Sequence, residues 1–483
     1  MQNKFTFGTA WMVLACVTAL TLGGCGSNGS PSSTSSNARS YTVGGTVAGL
    51  GNKESVVLLI NGGDQLSITA NGPFVFSNSL PAGSSYQVTV KSHTSGIACV
   101  VGNGTGTVSS NVTGITVTCG SEVTLYSFGP APYGVQPNAG LIMDNSGNLF
   151  GTTSGGGTSD CGMVFELSSA NVKTVLHSFC STSVDGLGPS PGLVMDGAGN
   201  LYGTTFGGGE YDVGTIFKVS PSGSETVLHS FGSPGADGNN PEAGLVMDNH
   251  GYLYGTTLNG GANGLGAVFK LGPTGVESVL YSFVSITTGG PLPNADTDLI
   301  MDGAGNLYGT TYASGKNGFG MVYKISPAGT RTILHSFGTG TDGQYPKSGL
   351  VLDSAGNLYG TTSGGGEFGV GTVYEISPSG TETVLYSFGS SGNDGADPQA
   401  GLVMDGSGNL YGTTYRGGKF SDGTVFEISS AGTETVLYSF GSSATDGRNP
   451  APGRLTMDTN GNLYGTTLYG GAYNEGTVFE ILN

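Results

Sequence analysis

Five units of this chain start a short apolar run with glycine, at Gly140, Gly192, Gly244, Gly349 and Gly401, while two others place Asp298 and Arg454 there. A guanidinium can hold a carboxylate through two parallel hydrogen bonds, and an aspartate can orient a hydroxyl or move a proton. Further cations follow in the same half of the chain: Lys316, Lys347, Arg416, Lys419 and Arg448. Tyr312, Tyr415, Phe420, Tyr469 and Tyr473 are interleaved with them, and aromatic faces offer stacking surfaces. The candidate ligand site is therefore Arg454, Arg416, Lys419, Lys316, Asp298, Tyr312 and Tyr415. Arg454, Arg416 and Lys419 would take an anionic group such as a uronate, and Tyr415 or Tyr312 would stack on its ring. The alternative is a set of solvated loops with ordinary surface charges.

Residues present in every unit are expected to serve the unit rather than a ligand. Asp144, Asp196, Asp248, Asp302, Asp353, Asp405 and Asp458 all end the same apolar run. They read as turn residues, since D-x-x-G-N offers too few oxygens for a calcium loop. His177, His229 and His335 share one position with Tyr126, Tyr281, Tyr386 and Tyr438. An imidazole that interchanges with a phenol reads as packing, not as a catalytic base. No zinc motif, nucleophile elbow or phosphate loop occurs, so no metal and no cofactor are expected. The two acids of a glycosidase need no fixed spacing in sequence, so an enzyme using Asp298 and Glu210 stays open.

The elements that position these residues form a repeat. "GNLYGTT" at 199–205 has near-copies starting at 147, 251, 305, 356, 408 and 461. Each unit of about 52 residues reads as four strands: A ("GLVMD"), B ("NLYGTT"), C ("GTIFKV") and D ("ETVLHSF"). Four antiparallel strands at this period predict a propeller blade, with A innermost. The region opens on a D strand ("EVTLYSF", 122–128) and closes on a C strand ("GTVFEI", 476–481). A ring accounts for both ends if the opening strand completes the last blade, which also removes exposed edges. The fold class expected is all-β: a seven-bladed propeller over 122–483, preceded by a small β-sandwich over 41–120.

The formal net charge of −18 excludes nucleic acid as a partner, because phosphate binding needs clustered Lys and Arg. Residues 1–25 read as an export signal, and "LGGC" at 22–25 resembles a bacterial lipobox. That resemblance implies acylation of Cys25, a membrane partner through the lipid anchor, and display at the outer membrane or cell surface. An ordinary signal peptide is the alternative. Residues 26–40 read as a flexible Ser/Gly tether. The 41–120 piece resembles immunoglobulin-like or transthyretin-like modules of bacterial surface proteins, which implies a spacer. Exported cysteines in even number favour disulfides. Cys99 and Cys119 are expected to bridge the last sandwich strands. Cys161 precedes strand C and Cys180 follows strand D of one hairpin, so they are expected to pair.

The consensus "DGxxPxAGLVMDxxGNLYGTTxxGGxxxxGTVFEI" closely resembles the tandem GloVer repeat of choice-of-anchor bacterial surface proteins. The resemblance implies surface display on a propeller and carries no activity with it. The glycine clusters after strand B also resemble kelch repeats, although 122–483 contains no Trp. The function expected is a lipid-anchored, monomeric binding or adhesion module for acidic polysaccharide or a protein ligand. The alternative is an extracytoplasmic polysaccharide lyase or glycoside hydrolase.

Overall fold

The computed structural model describes residues 39–482, apart from 51–53, 95–96, 121, 131, 234–236 and 285–297. The signal, Cys25 and most of the tether lie outside the described residues. Two four-stranded sheets come first. One orders Gly72–Val75, Val43–Ala48, Val112–Gly120 and Ala98–Gly102; the other orders Asp64–Ile68, Val56–Ile60, Ser85–His93 and Thr105–Thr107. Alternating apolar residues of both sheets, including Val43, Leu58, Phe76, Val88 and Val117, share one core. Cys99 and Cys119 are cross-strand partners and form a disulfide.

Among the described residues, seven sheets of the A–B–C–D order follow. In six of them all four strands are contiguous in sequence, as in Val194–Met195, Leu201–Gly208, Thr215–Val219 and Glu225–Ser230. In the seventh, Glu122–Ser127 pairs antiparallel with Thr477–Ile481 and supplies the missing D strand. Phe128 and Val478 then pack with Leu141, Leu149, Phe165 and Leu167 of the first sheet. The other six junctions repeat that cluster: Val164 and Phe179 meet Leu193, Leu201, Phe217 and Val219, for example. Thr456 Oγ1 donates to Leu141 O across the closing junction, and Thr466 Oγ1 donates to Ala139 O at 2.9 Å. The sheets thus close into the propeller ring.

Almost every letter of GNLYGTT has a physical role. Gly199 turns the A–B hairpin at φ +80, in the left-handed region. Asp196 Oδ1 accepts from the backbone N–H of Ala198 and of Asn200, both at 2.9 Å. Its Oδ2 accepts from Asn200 Nδ2 at 2.8 Å and from the Tyr202 hydroxyl at 3.0 Å. Burial alone would raise the Asp196 carboxyl, but these bonds hold it below the ordinary range. Leu201 enters the junction core. A Cβ on Gly203 would lie 2.6 Å from Phe217 Cζ. The close neighbour of that glycine is thus a ring from its own sheet, not the adjacent sheet. Thr204 Oγ1 donates to Ala243 O of the next sheet at 3.1 Å, and Thr205 bonds Thr215 at 2.8 Å within its own. The Asp set is therefore turn chemistry, as its presence in every unit suggests.

Cys161 and Cys180 form a disulfide. Sister sheets place Val213 against Gly232 and Val370 against Gly389 at these positions. Those glycines have φ of +95 and +94, and Cys180 adopts +60. The first sheet thus replaces a valine–glycine contact with a covalent bond and keeps the left-handed backbone.

Candidate functional site

The A strands surround a channel, and the D–A loops form one of its mouths. The wall is half-buried and apolar, from Ile142, Val194, Val246, Ile300 and Val403. A cavity of about 1130 Å³ occupies the channel, and Asp298, Arg454, Lys347 and Gln399 are among its lining residues. Asp298 reaches across to the preceding sheet, where the Gly244 N–H donates to its Oδ1 at 2.7 Å. The protein wall crowds this carboxyl, and that burial raises it above the usual carboxylate range, against the pull of Arg454 and of the Gly244 bond. Arg454 also borders a second cavity of about 670 Å³, floored by the turns at Asp353 and Asp405.

The register at Arg454 differs from the sequence reading. Pro450 packs on Gly423 as Pro398 packs on Gly371. Counted from those prolines, Gly453 keeps the glycine's place and Arg454 is an additional residue before Leu455. The loop is one residue longer there, and the added residue brings a charge to the mouth.

The other candidates separate into groups. Tyr312 stacks on Tyr345 with centroids 5.1 Å apart, and Lys347 Nζ lies 5.4 Å over the Tyr312 ring. Lys347 thereby links this aromatic pair to the cavity. Arg416 is exposed, with its guanidinium 5.7 Å over Tyr415, and exposed Lys419 sits 5.2 Å over Phe420. Lys316 is exposed. Among the described residues, the cavity wall includes Asp298 and Arg454 but not Arg416, Lys419, Lys316, Tyr312 or Tyr415.

A second set of polar residues sits at the junctions beside the D strands. Tyr386 donates to Asp394 Oδ2 at 2.8 Å, and Tyr438 donates to Asp446 Oδ2 at 2.8 Å. Each aspartate also faces the first residue of the next D strand. Burial and Asp394 push Glu434 up to about 7; burial and Asp446 push Glu122 up to about 8. His177, His229 and His335 replace the tyrosine at three junctions and lie 3.3–3.4 Å from Asp185, Asp237 and Asp342. Each imidazole packs edge-on against a phenylalanine, 4.9 Å between centroids, so the packing role stands and an acidic neighbourhood is added to it. Two junctions carry a cation instead. Arg331 lies 5.2 Å over Tyr281, and Lys173 lies 5.3 Å over Tyr126. Sequence reasoning missed these acids because they come from two sheets. Their signal was a constant interval: Glu225, Glu277, Glu382 and Glu434 each follow an Asp by 40 residues.

The profile of the Gloeobacter/Verrucomicrobia repeat matches residues 83–297 and 294–482. No curated protein matches the chain in sequence. Among solved structures, the chain resembles the extracellular domain of BT3049, a proposed hybrid two component system from B. thetaiotaomicron. Identity is 13%, the TM-score is 0.51, and the match covers 88% of this chain and 51% of that one. It is also similar to the extracellular domain of BT4673, a proposed one component system from the same organism, at 12% identity and a TM-score of 0.47. That match covers 73% of this chain and 39% of the other. The chain thus spans between about two fifths and half of these relatives. Among the described residues, no helix is long and apolar enough to cross a membrane.

Proposed function

Because the chain belongs to the Gloeobacter/Verrucomicrobia repeat family, we propose that it is an exported binding module whose channel mouth takes an acidic glycan. The observation that supports this reading most is the cavity's pair of opposite charges. Asp298 stands where the other D–A loops bring glycine, Arg454 is the extra residue directly after one such glycine, Gly453, and both charges line the same cavity. Arg454 would pair with a carboxylate of the ligand, Asp298 would orient a hydroxyl, and the Tyr312–Tyr345 stack beside Lys347 would offer a ring-sized surface. Arg416, Lys419 and Tyr415 would extend the contact outward, with Lys316 at its edge. The BT3049 domain, similar in fold, is extracellular, which agrees with export. A lipid anchor at Cys25 and an outer-membrane or cell-surface location belong to the same proposal, with the two N-terminal sheets as spacer.

Binding of an oligogalacturonate and of a neutral oligosaccharide, to the parent and to Arg454→Gly, tests it. A buried charge-assisted bond contributes about 1.5–3 kcal/mol, so the variant should bind the acidic glycan roughly 10- to 100-fold more weakly. Equal affinity for acidic and neutral glycans, unchanged by the substitution, refutes this site. A second reading, lyase or hydrolase, rests on Asp298, whose raised carboxyl could hold a proton for transfer. Product release that is lost in Asp298→Asn would favour it.

A further inference from the structure

Three of the seven junctions bring one imidazole and two carboxylates together from two adjacent sheets. The sets are His177, Asp185 and Glu225; His229, Asp237 and Glu277; and His335, Asp342 and Glu382. In each, one ligand-capable atom per residue lies within 4.8 Å of the other two. The histidine comes from one D strand, the aspartate from the loop after it, and the glutamate begins the next D strand, as Glu225 begins Glu225–Ser230. From the geometry we infer that these are three equivalent sites for a divalent transition metal of the zinc class, each bound by histidine Nε2 and two carboxylates.

Three observations carry the inference. First, the buried His177, His229 and His335 Nε2 atoms have no hydrogen-bond partner, and neither have Glu225, Glu277 and Glu382 Oε1. Asp237 adds an unpartnered Oδ1 on a side chain only 5% exposed. Buried polar atoms are rarely left in this state.

Second, the imidazole-to-aspartate separations of 3.3, 3.4 and 3.4 Å are long for a charge-assisted hydrogen bond. They match the edge of a coordination tetrahedron, roughly 3.3–3.4 Å for bonds of about 2.0–2.1 Å.

Third, the fold contains its own comparison. At two of the four junctions where tyrosine replaces histidine, those of Tyr386 and Tyr438, the hydroxyl makes a normal 2.8 Å bond to the same aspartate position. The acid pair persists there, with Glu434 Oε1, Asp394 Oδ1 and Asp446 Oδ1 likewise unpartnered, and a proton shared between the carboxyls would serve it. The histidine adds a nitrogen donor that the shared proton leaves unused. One nitrogen and two oxygens suit zinc or a neighbouring first-row metal better than calcium, which prefers oxygen alone.

The test is equilibrium dialysis of the full chain against ZnCl2, with bound metal counted by mass spectrometry. Two triple variants accompany the parent: His177→Tyr/His229→Tyr/His335→Tyr and Glu225→Gln/Glu277→Gln/Glu382→Gln. The first adopts the residue that sister sheets carry at this position, so it should fold; the second guards against its failure to do so. The parent should take up three ions per chain and both triples none at the same free zinc, and each single His→Tyr variant should lose one ion. Zinc should also raise the parent's Tm and leave the triples unmoved. Uptake equal in all three proteins, which would assign the metal to exposed groups such as His93 and His250, overturns the inference. So does an absence of uptake in the parent.

Discussion

The junctions and the channel mouth are built from the same repeat, yet they treat its residues oppositely. Each junction keeps a phenylalanine stacked edge-on against a ring of the next sheet, from Phe128 on Phe165 at 5.2 Å to Phe440 on Phe479 at 5.0 Å. The mouth keeps glycine at six places, replaces it with Asp298 at the seventh, and adds Arg454 directly after Gly453. A junction residue touches two sheets, so a change there disturbs the ring. A mouth residue has the channel on one side, so it can change without repacking. The repeat therefore holds the stability in the junctions' apolar core and leaves individuality to the mouth and to the polar residues beside the D strands.

Phe128→Ala tests this difference with the largest expected effect. Phe128 is fully buried and lies at the closing junction, where an N-terminal strand completes the last sheet. Removing it should cost about 3–5 kcal/mol in denaturant unfolding, as should Phe388→Ala at a mid-chain junction. A much smaller cost for Phe128→Ala than for Phe388→Ala would mean that the ring is not closed by that strand.

The Cys161–Cys180 bond asks how much one junction gains by departing from its sisters. Replacing both cysteines with serine should cost roughly 3 kcal/mol by loop-closure entropy. Cys161→Val/Cys180→Gly should cost about 1 kcal/mol less than the serine pair, because it gives the first sheet the counterpart of its sister's Val213–Gly232 contact and puts glycine on a left-handed backbone. Equal losses for both pairs would show that the valine–glycine contact contributes nothing.

The acid pairs make the junctions pH-dependent. Burial first, then Asp446, raises Glu122 from 4.5 to about 8; burial and Asp394 raise Glu434 to about 7. In the folded state these groups hold protons that the unfolded chain has released. Their stabilising contribution is therefore complete below about pH 4.5, falls as pH rises through the folded values, and is flat above about pH 8. Tm measured with EDTA should decline across that window, and Glu122→Gln should reduce the decline. A decline unchanged by Glu122→Gln would remove Glu122 from the account.

The fold was legible because the repeat is strict. GNLYGTT recurs as a turn, a core leucine and two inter-strand hydroxyls, and all of these demands are local or fall on the adjacent sheet at a constant interval. The D strand displaced to residues 122–128 showed ring closure by simple counting. The site was less legible. His177 and Glu225 look unrelated in sequence because their meeting needs two sheets packed side by side. Arg454 read as a replaced glycine until the packing of Pro450 on Gly423 fixed the register. Tyr345, which faces Tyr312, had no signal beyond an ordinary loop aromatic.

The smallest expected effect on stability is at the mouth. Arg454 borders two cavities, and among the described residues no ion pair joins it to Asp298. Its neighbours on the ring are backbone and glycine: a Cβ on Gly140 would lie 2.6 Å from Arg454 O, and one on Gly401 would lie 3.6 Å from Arg454 Cβ. Arg454→Gly removes a side chain that fills no core, so unfolding free energy should stay within about 0.5 kcal/mol of the parent. The same substitution removes the guanidinium that attracts Asp298, so that carboxyl should titrate higher still. Carbon-13 NMR of labelled aspartate would read that shift, and calorimetry would read the stability. A loss of more than about 1 kcal/mol on Arg454→Gly would mean that the mouth shares the structural duty of the junctions, and the division between the two regions would fail.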